Sequence, residues 1–578
     1  MSLLERIDAN DSDDGIEQGK RLIRVGDDRG VSLSERLAYR LHRLAWRTPF
    51  HAFRLRGRFP LRLLAVPKDP IAGDKAVGAA ILGGAFVYRG KTVAIDRFSF
   101  NDPGLGADFS DYLQSFAWLR DLAAAATREK AAKRAETLVQ KWLAAYAAQV
   151  SEPAWRPDLW GRRILFWTAY APYLLSSRDM VYRSAVLNAL ARGARHLDRG
   201  ADKAPAGLPR ITAWVGVIVS ALVIQGGPAR LRAGEAGLAR ALAGGLHEDG
   251  GMVSRSPRQQ LLLVELLSQL RAAYIAGRRD MPEESAEALE GGVAALLAVT
   301  LGDEQLSSWQ GGNAMSRRRI AAAIEGSGMR ARALRQARGW GYQRLESRKS
   351  IVVFDAAPPP PSRALAGGCA STLAFEFSDG PDRLVVNCGG AGAGILPPAL
   401  TEGLRTTAAH STLTLGDRNS TAVHEDGTLG KGVSQVELTR DETAGVVTVE
   451  ASHDGYVRRF GILHQRQLIL SADGKELGGE DRLIPAGRRH RGHATPFAVR
   501  FHLAPGVEVT STADGQGALL RVRGAAAWQF RCRGGMLTIE DSVAIDGESQ
   551  VHPSLQLVIA GETPPDGMTI SWLFKRAG

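Results

Sequence analysis

The stretch LRTTAAHSTLTLGD, from Leu404 to Asp417, decides how the second half of the chain is interpreted. Its later part, Ser-Thr-Leu-Thr-Leu, alternates polar and apolar side chains, which predicts a β-strand with one buried face. His410 therefore lies where a strand begins and not inside a helix. A histidine in that position can ligate a metal, transfer a proton or cap a loop, and residue type alone leaves these three roles open.

The segments around this stretch predict an antiparallel β-sandwich. From Gly339 to Lys575 the chain is rich in Thr, Val and Leu, alternates with a short period and is broken by Gly-Asp turns, as in TLAFEFSDG and FAVRFHL. Short alternating strands separated by turns are typical of two packed antiparallel sheets. The run Pro358–Pro361 lies between two predicted strands, so we expect a stiff loop there and not a domain linker.

Residues 111–338 instead repeat apolar side chains at helical spacing, as in ETLVQKWLAAYAAQV and PRQQLLLVELLSQLRAAYIAG. The stretch DYLQSFAWLRDLAAAA predicts one helix with Tyr112, Phe116 and Leu119 on one side. Short Gly, Pro and Asp breaks separate the helices into pairs, and no sequence repeat of fixed period is visible. Such pairs fit an incomplete α/α toroid, and an α-solenoid is the alternative.

These patterns predict an α+β multidomain chain, as its 578 residues also suggest. We expect a weakly ordered, polar N-terminus over residues 1–30, a toroid-like helical domain over residues 31–338 and an antiparallel β-sandwich over residues 339–578. A hairpin-like segment, FVYRGKTVAID, precedes the helical pairs. It carries Gly-Lys-Thr without the preceding glycine of a phosphate loop, so a nucleotide site is not expected there.

Composition favours an anionic partner. The net charge is +12 and the isoelectric point about 9.8, yet the arginines are scattered and no nucleic-acid-binding module is visible. Nucleic acid, an acidic polysaccharide or a membrane surface would each fit this charge, but the scattered arginines favour an anion-lined cleft over a nucleic-acid arm, so no nucleic acid is expected. The three cysteines, Cys369, Cys388 and Cys532, lack metal or disulfide spacing and are expected to be buried as small apolar residues. Oligomeric state cannot be read from these features.

The sequence predicts no secretion signal and no integral membrane segment. The N-terminus, MSLLERIDANDSDDG, is acidic and lacks an apolar core. The apolar runs Ala76–Val87 and Ile211–Ile224 are shorter than the roughly 20 residues that span a bilayer. We therefore expect a cytoplasmic protein. A helix carrying Arg36, Arg40 and Arg43 is expected to face the core, with a membrane surface as its alternative.

The pattern Arg-x-Thr, two small residues, His-Ser-Thr over residues 405–412 resembles the signature of the heparinase II/III-like polysaccharide lyases. WRPDLWGRRILFW, Trp155–Trp167, is similar to that family's entry to a helix pair, and LGDEQLSSWQGGN, Leu301–Asn313, is similar to a loop of its toroid. The resemblance covers roughly residues 100–575. It implies a toroid followed by a sandwich, a cleft between them that cleaves uronate-containing polysaccharides by β-elimination, and a cell-envelope or periplasmic location as an alternative to the cytoplasm.

Elimination sets clear requirements. One group must neutralise the uronate carboxylate, a base must remove the C5 proton and an acid must protonate the leaving oxygen at C4. The stretch Glu248–Gln260, EDGGMVSRSPRQQ, resembles the family's toroid catalytic loop, but its Tyr-His pair reads here as Gln259-Gln260. Glutamine cannot act as a base, and the alternative reading is a solvated pair in a helix that begins at Pro257. Tyr170, Tyr274 and Tyr342 are candidate replacements.

The resemblance implies His410, Arg405 and Gln260 as catalytic candidates. An aromatic ring at helical spacing is more often part of the core. The substrate-binding candidates are arginine, aromatic and amide side chains in or near the matching motifs: Arg163, Trp167, Arg210, Arg255, Trp309 and Asn313. The resemblance also implies His410, Asp426 and His464 as ligands of a zinc ion, with hydrogen-bonded histidines in strands as the alternative. No organic cofactor is expected.

Three functions remain open from the sequence. The first is a carbon–oxygen lyase that acts on an acidic polysaccharide, whether heparan, chondroitin, alginate or a bacterial exopolysaccharide. The second is a member of the same family that has lost catalysis and binds a glycan or a protein partner in envelope metabolism. The third is a peripheral envelope protein that uses the helix around Arg36–Arg43. The replacement Gln259-Gln260 favours the second over the first.

Overall fold

The computed structural model describes residues 19–24, 46, 48–57, 59, 62–224, 227–365, 367–391, 396–486, 494–522 and 524–577. Helices predominate up to residue 327 and strands from residue 342 onward, so the predicted order of a helical domain and a β-sandwich is confirmed. The helix predicted around Arg36–Arg43 lies outside the described residues. No described helix has both the length and the apolar character that crossing a bilayer requires.

The helical domain is an open ring of paired helices. Its helices are α1 (Pro49–Arg54), α2 (Lys75–Leu82), α3 (Ala107–Ser115), α4 (Trp118–Ala125), α5 (Arg128–Tyr146), α6 (Pro157–Ala169), α7 (Ala171–Leu174), α8 (Met180–Gly200), α9 (Leu208–Val219), α10 (Gly227–Gly245), α11 (Pro257–Ala276), α12 (Glu283–Ala298) and α13 (Arg317–Ser327). The predicted hairpin is present as β2 (Ala85–Tyr88) and β3 (Lys91–Ala94).

Local chemistry sets where these helices start and how closely they pack. Helix α11 begins with proline in its first turn, and the hydroxyl of Ser256 accepts a hydrogen bond from the Gln259 N–H. Helices α6 and α9 approach so closely that a Cβ at Gly161 would lie 2.2 Å from the carbonyl oxygen of Thr212. Any side chain at Gly161 would therefore push the two helices apart.

The single helix predicted over DYLQSFAWLRDLAAAA is wrong, because the chain breaks at Phe116. This residue adopts a left-handed conformation, with φ of 62°, between α3 and α4. Its buried ring makes edge contacts with Trp142 and Trp167 at centroid distances of 6.1 and 5.1 Å. Aromatic packing in the core thus outweighs helical propensity at this position, and the break brings Tyr112 and Asp121 to the same cavity.

The second domain is a sandwich of two antiparallel sheets. Its strands are β4 (Tyr342–Ser347), β5 (Ser350–Asp355), β6 (Phe375–Asp379), β7 (Asp382–Val386), β8 (Leu413–Leu415), β9 (Gln435–Thr443), β10 (Val446–His453), β11 (Ile462–Leu470), β12 (Glu476–Pro485), β13 (Thr495–Leu503), β14 (Val507–Ser511), β15 (Gly517–Val522), β16 (Trp528–Arg533), β17 (Met536–Ile545), β18 (Val551–Thr563) and β19 (Met568–Arg576). Two short helices, α14 (Pro398–Gly403) and α15 (Val457–Phe460), lie in its loops.

The two sheets enclose one apolar core. One sheet has the strand order β9-β10-β11-β12-β19-β16-β15-β14, and the other has the order β17-β18-β13-β7-β6-β5-β4 with β8 paired to β13. Aromatic rings fill the space between them; Phe375 and Trp572 stack at 5.4 Å. The Pro358–Pro361 run lies between β5 and β6, as predicted. The three cysteines are buried and free.

An N-terminal strand extends the first sheet. Residues Arg21–Arg24 form β1, which pairs antiparallel with β9. This corrects the prediction that residues 1–30 are weakly ordered, at least for this segment. The four residues of β1, RLIR, are too short a pattern to predict a strand from the sequence. In the structure, the edge of β9 supplies the backbone hydrogen bonds that order β1.

Candidate functional site

A cavity of about 700 Å³ opens between the helical ring and the sandwich. The β2–β3 hairpin and helices α3, α4, α6, α11 and α13 supply most of its lining, and the sandwich adds Leu365, Ala391 and the turn at Gly547 and Glu548. We call this cavity the toroid cleft. Its place matches the cleft between the domains that the sequence predicts.

One side of the toroid cleft is held by a shared carboxylate. Asp108 on α3 accepts hydrogen bonds from Arg89 and Arg258, each at 2.9 Å. Arg258 also donates to the Tyr88 hydroxyl at 3.1 Å. Because two guanidinium groups share one carboxylate, this side retains a surplus of positive charge.

A second network lies deeper along α11. Glu265 binds Arg319 at 2.8 Å and lies 3.6 Å from Arg120, which forms a further ion pair with Asp69 at 2.9 Å. Burial would raise the pKa of Glu265, but Arg319 and Arg120 together hold that pKa at about 2. Glu265 is therefore an anchored carboxylate and a very weak base at neutral pH.

Arg162 on α6 differs from the other cleft arginines. It is half-buried and lines the toroid cleft, yet it makes no hydrogen bond or ion pair with any described residue. Burial lowers the pKa of Arg162, and the more distant charge of Glu265 offsets this only in part. A desolvated guanidinium without a partner is costly, and an anionic ligand in the cleft would remove that cost.

Two stacked tyrosines form the neighbouring wall. The rings of Tyr88 and Tyr112 lie 4.5 Å apart and are inclined by 16°. The Tyr112 hydroxyl faces the Asp121 carboxylate at 3.5 Å. Burial raises the pKa of Tyr112 well above its ordinary value and that of Asp121 to about 6. Perturbed titratable groups in a cavity are typical of functional sites.

The two glutamines of the toroid loop separate in the structure. Gln259 lines the toroid cleft, whereas Gln260 is buried beneath it. The Gln260 amide accepts from the Met252 N–H at 2.8 Å and donates to the carbonyl groups of Gly250 and Gly292 at 3.1 and 2.9 Å. Gln260 therefore fixes the loop in this geometry, and its catalytic role stays a prediction from the sequence.

His410 and Arg405 are also buried away from the toroid cleft. His410 Nδ1 donates to the Thr406 carbonyl at 2.8 Å, and burial lowers its pKa to about 4. Arg405 donates to the carbonyl groups of Gly368, His424 and Thr428 at 3.1, 2.8 and 2.9 Å. Neither lines the cavity, so both have structural contacts in this geometry, and the catalytic roles stay a prediction from the sequence.

The expected zinc ligands do not fit a shared ion. Both ring nitrogens of His464 have partners, His453 at 3.2 Å and Asp481 at 2.7 Å. Asp426 accepts from Thr428 in its own loop. Across the described part of the chain, no group of three His, Cys, Asp or Glu side chains is arranged to hold a metal. The geometry favours the hydrogen-bonded alternative, and zinc binding stays a prediction from the sequence.

The expected substrate-binding side chains hold the fold together. Arg255 forms an ion pair with Asp355 at 2.7 Å across the domain interface. Trp309 stacks on Tyr342 at 5.1 Å beside it, and Asn313 accepts from the Gly390 N–H at 2.8 Å. The remaining three contact core groups: Arg163 the Gln114 carbonyl, Trp167 the Phe116 ring, and Arg210 the Ala204 carbonyl. None of the six lines the toroid cleft.

The tyrosines proposed as replacement bases are engaged elsewhere. The hydroxyls of Tyr170, Tyr274 and Tyr342 donate to Asp69, Glu235 and the Arg255 carbonyl at 3.1, 2.8 and 2.8 Å. Burial raises the pKa of all three, and none lines the toroid cleft. The tyrosines that line the toroid cleft are Tyr88 and Tyr112.

The sequence contained a signal for some of the missed residues. Arg162 and Arg163 stand side by side in WRPDLWGRRILFW, and neighbouring helical residues face different directions, so the motif pointed to the right helix and the wrong arginine. Tyr88, Arg89, Asp108 and Arg319 lie in separate segments with no shared motif. Only the fold brings them together.

Comparison with known proteins agrees with this architecture. Residues 329–573 match the family model described as Heparinase II/III-like, C-terminal. The crystal structure of heparinase III is similar with a TM-score of 0.67 and 14% identity, over 96% of this chain and 93% of that one. Heparan sulfate lyase HepC from Pedobacter heparinus is similar with a TM-score of 0.56 and 14% identity, over 93% and 87%.

One curated relative is named for where it localises and not for a lyase activity. FtsZ-localized protein C from Caulobacter vibrioides (strain NA1000 / CB15N) is 29% identical over 546 residues, which cover 90% of this chain and 91% of the relative. The solved lyase structures share the fold of this chain at low identity, while the family model matches its sequence directly. The C-terminal domain of this chain therefore belongs to the heparinase II/III-like family, and the chain as a whole has the toroid-plus-sandwich fold of heparinase III.

Proposed function

We propose that this protein binds an acidic polysaccharide in the toroid cleft and has lost efficient β-elimination. The observation that carries the proposal is Arg162, a half-buried guanidinium that lines the cleft without a hydrogen-bonding or ionic partner among the described residues. A uronate carboxylate or a sulfate group would supply the missing negative charge, and guanidinium–carboxylate pairs are strong when shielded from water.

The surrounding side chains support binding of a sugar chain. Arg318, which is exposed on α13 and also lines the cleft, has no partner among the described residues either. The stacked rings of Tyr88 and Tyr112 offer an aromatic surface beside these charges. Aromatic faces and arginines together suit a polymer that alternates apolar sugar faces with carboxylates.

The same cleft is poorly equipped for elimination. Gln259 occupies the position where the family resemblance implies a catalytic Tyr-His pair, and it can neither accept nor release the C5 proton. His410 is buried, and the Glu265 carboxylate is held by arginines with a pKa of about 2. The cleft can therefore neutralise a substrate carboxylate, which is one of the three groups that elimination requires. It lacks a strong base where the family resemblance implies one.

Slow elimination is the second candidate, because Tyr88 and Asp121 remain in the cleft. The Tyr88 hydroxyl lines the cleft and accepts a hydrogen bond from Arg258 at 3.1 Å. Asp121, with a pKa of about 6, is mostly ionised at neutral pH. Each acid or base group contributes about 10² to 10⁴ in rate, so a single surviving group supports only slow turnover.

Ultraviolet absorbance separates the two candidates. Elimination creates a C4–C5 double bond conjugated to the carboxylate, which absorbs in the ultraviolet. Wild type, Tyr88→Phe and Asp121→Asn would be incubated with heparan, chondroitin and alginate, and binding would be followed in parallel by calorimetry. We expect binding without measurable turnover. Turnover that Tyr88→Phe or Asp121→Asn abolishes would establish the second candidate, and absence of both binding and turnover would refute the proposal.

We also propose that the protein acts at the division site. The support is the FtsZ-localized relative, whose similarity extends over nearly the full length of both chains. A fluorescent fusion expressed in the native host should form a midcell band that disappears when FtsZ is depleted. A diffuse signal, or a band that persists without FtsZ, would contradict this assignment.

A further inference from the structure

A second concavity, of about 1360 Å³, lies on the β-sandwich away from the toroid cleft. Four segments line it: the loop 359–363, residues 418–423, residues 428–434, and the turn 454–460 that contains α15. We call it the sandwich groove. No residue lines both cavities, so a ligand in one would leave the other open.

The sandwich groove is strongly basic. Arg363, Arg418, Lys431, Arg458 and Arg459 line it and are exposed. Among the described residues, the side chains of Arg418, Lys431 and Arg458 form neither a hydrogen bond nor an ion pair. Their charges are therefore available to a partner.

The carboxylate in the groove does not neutralise these cations. Asp454 accepts from the backbone N–H groups of Ser434 and Gln435 at 2.8 and 3.2 Å, and from the Ser434 hydroxyl. Its charge is thus directed at the backbone where β9 begins. The groove retains a concentrated positive potential on more than one wall.

The walls of the sandwich groove are held in place. The Tyr456 hydroxyl donates to the Leu413 carbonyl at 2.9 Å, which ties the α15 turn to β8. Gly432 approaches Thr421 so closely that a Cβ there would lie 2.2 Å from the Thr421 Cα. The proline run is stiff by its own covalent geometry. A preformed groove binds with a smaller loss of conformational entropy than a flexible one.

We propose that the sandwich groove binds an extended acidic polypeptide segment of a partner protein. Recognition of acidic motifs by clusters of arginine is a recurrent mode of peptide binding. Pro361, which is partly exposed, would give an extended chain an apolar contact, while Arg418, Lys431 and Arg458 would meet its carboxylates. This site is separate from the toroid cleft, and the proposal does not rest on glycan binding there.

Shape and composition favour a peptide over the other polyanions. A membrane surface needs a flat or convex face with apolar side chains that insert, and the described groove is concave and exposes no large apolar side chain. A glycan site needs an open aromatic face, but Tyr456 is buried and the Phe460 ring is only partly exposed, with Arg459 5.8 Å from its centroid.

Fluorescence anisotropy of the full chain with a labelled deca-glutamate peptide tests the proposal. The groove variant is Arg418→Gln, Lys431→Gln and Arg458→Gln. The matched control is Arg128→Gln, Lys130→Gln and Lys133→Gln, which removes three exposed charges from α5. We expect the groove variant to weaken binding at least about tenfold and the control by less than about twofold, with affinity falling as salt rises.

Several outcomes would overturn the proposal. These are no peptide binding by the wild type, equal loss in the two variants, or binding of a deca-glutamine peptide as tight as that of deca-glutamate. Tighter binding of a uronate oligosaccharide or of phosphatidylglycerol vesicles, with the same dependence on the groove charges, would assign the groove to that partner instead. Thermal unfolding of each variant checks the fold, and the single change Lys431→Gln replaces the triple variant if that one is unstable. Arg162→Gln should leave peptide binding unchanged.

Discussion

Arg162 and Arg163 are consecutive residues of α6 that serve opposite purposes. Arg163 is fully buried between the rings of Trp142 and Trp160, with its guanidinium carbon 4.1 and 4.5 Å from their centroids. Arg162 lines the toroid cleft without a partner among the described residues. One arginine therefore stabilises the ring of helices, and the other is left available for a ligand.

This difference predicts opposite effects on stability. Arg163→Ala should lower the free energy of unfolding by about 3 kcal/mol or more, because the Gln114 and Ala154 carbonyl groups would lose their donor and the aromatic rings their packing. Arg162→Leu should leave stability unchanged or raise it by about 0.5 to 1 kcal/mol, because a desolvated charge is removed. Urea unfolding measures both, and a large loss for Arg162→Leu would show that it has an unseen structural partner.

The buried histidine His410 predicts a dependence of stability on pH. Its pKa is lowered to about 4 by burial, from about 6.5 in the unfolded chain. The unfolded state then binds more protons between these values, so stability present above pH 6.5 is lost as the pH falls toward 4. The difference is on the order of 3 kcal/mol.

The control for this prediction is His410→Asn, which removes the titrating ring. The variant is expected to be less stable at neutral pH but to lose less stability between pH 6.5 and 4 than the wild type. Chemical unfolding at a series of pH values measures this. Parallel pH profiles for the two proteins would show that His410 does not carry the effect.

A second pH effect comes from the network of Arg466, Asp481 and His464. Arg466 binds Asp481 in two places, at 2.8 and 2.9 Å, and His464 binds it at 2.7 Å. Burial alone would raise the pKa of Asp481, but Arg466 and His464 hold it well below its usual range. Its stabilising effect is present above the unfolded pKa of about 3.9 and is lost as the pH falls below it.

Asp481→Asn should lower stability at neutral pH by about 3 to 5 kcal/mol, because it leaves the buried Arg466 charge without its partner. The loss should shrink at acidic pH, because the unfolded wild-type chain then binds a proton at Asp481 that the native state excludes. Calorimetric unfolding from pH 7 to pH 3 tests this. A loss that does not change with pH would contradict the assigned ionisation of Asp481.

The zinc prediction can be settled by elemental analysis of the purified protein. Since the contacts of His464 and Asp426 do not fit a shared ion, we expect zinc content to be the same in wild type and in Asp426→Ala. Near-stoichiometric zinc that Asp426→Ala removes would show that the loop rearranges to bind metal.

Much of the fold follows from the sequence because side-chain periodicity directly reflects burial. The change from helical to alternating spacing near Gly339 marks the change of domain, and the continuous series of strands in the structure begins with β4 at Tyr342. The break at Phe116 could not be predicted, since it depends on rings contributed by α5 and α6. That break also decides which side chains reach the cleft.

The site was less predictable for the same reason. His410 lies just before β8, three residues ahead of Leu413, as expected, but its burial depends on how β8 pairs with β13, which no local pattern shows. The toroid cleft is lined by residues spread from Ile71 to Glu548, and each polar residue among them is ordinary in its own segment. Motifs identified the right loops, while the direction of each side chain is a property of the packed structure.

The proposed function places an acidic glycan against Arg162 in the toroid cleft. Calorimetric titration with a uronate oligosaccharide tests it most directly, using wild type, Arg162→Gln and the surface control Arg128→Gln. We predict that Arg162→Gln weakens binding about tenfold, which corresponds to about 1.4 kcal/mol, and that Arg128→Gln binds as the wild type does. Equal affinity in all three proteins, or no binding by any of them, would contradict the claim.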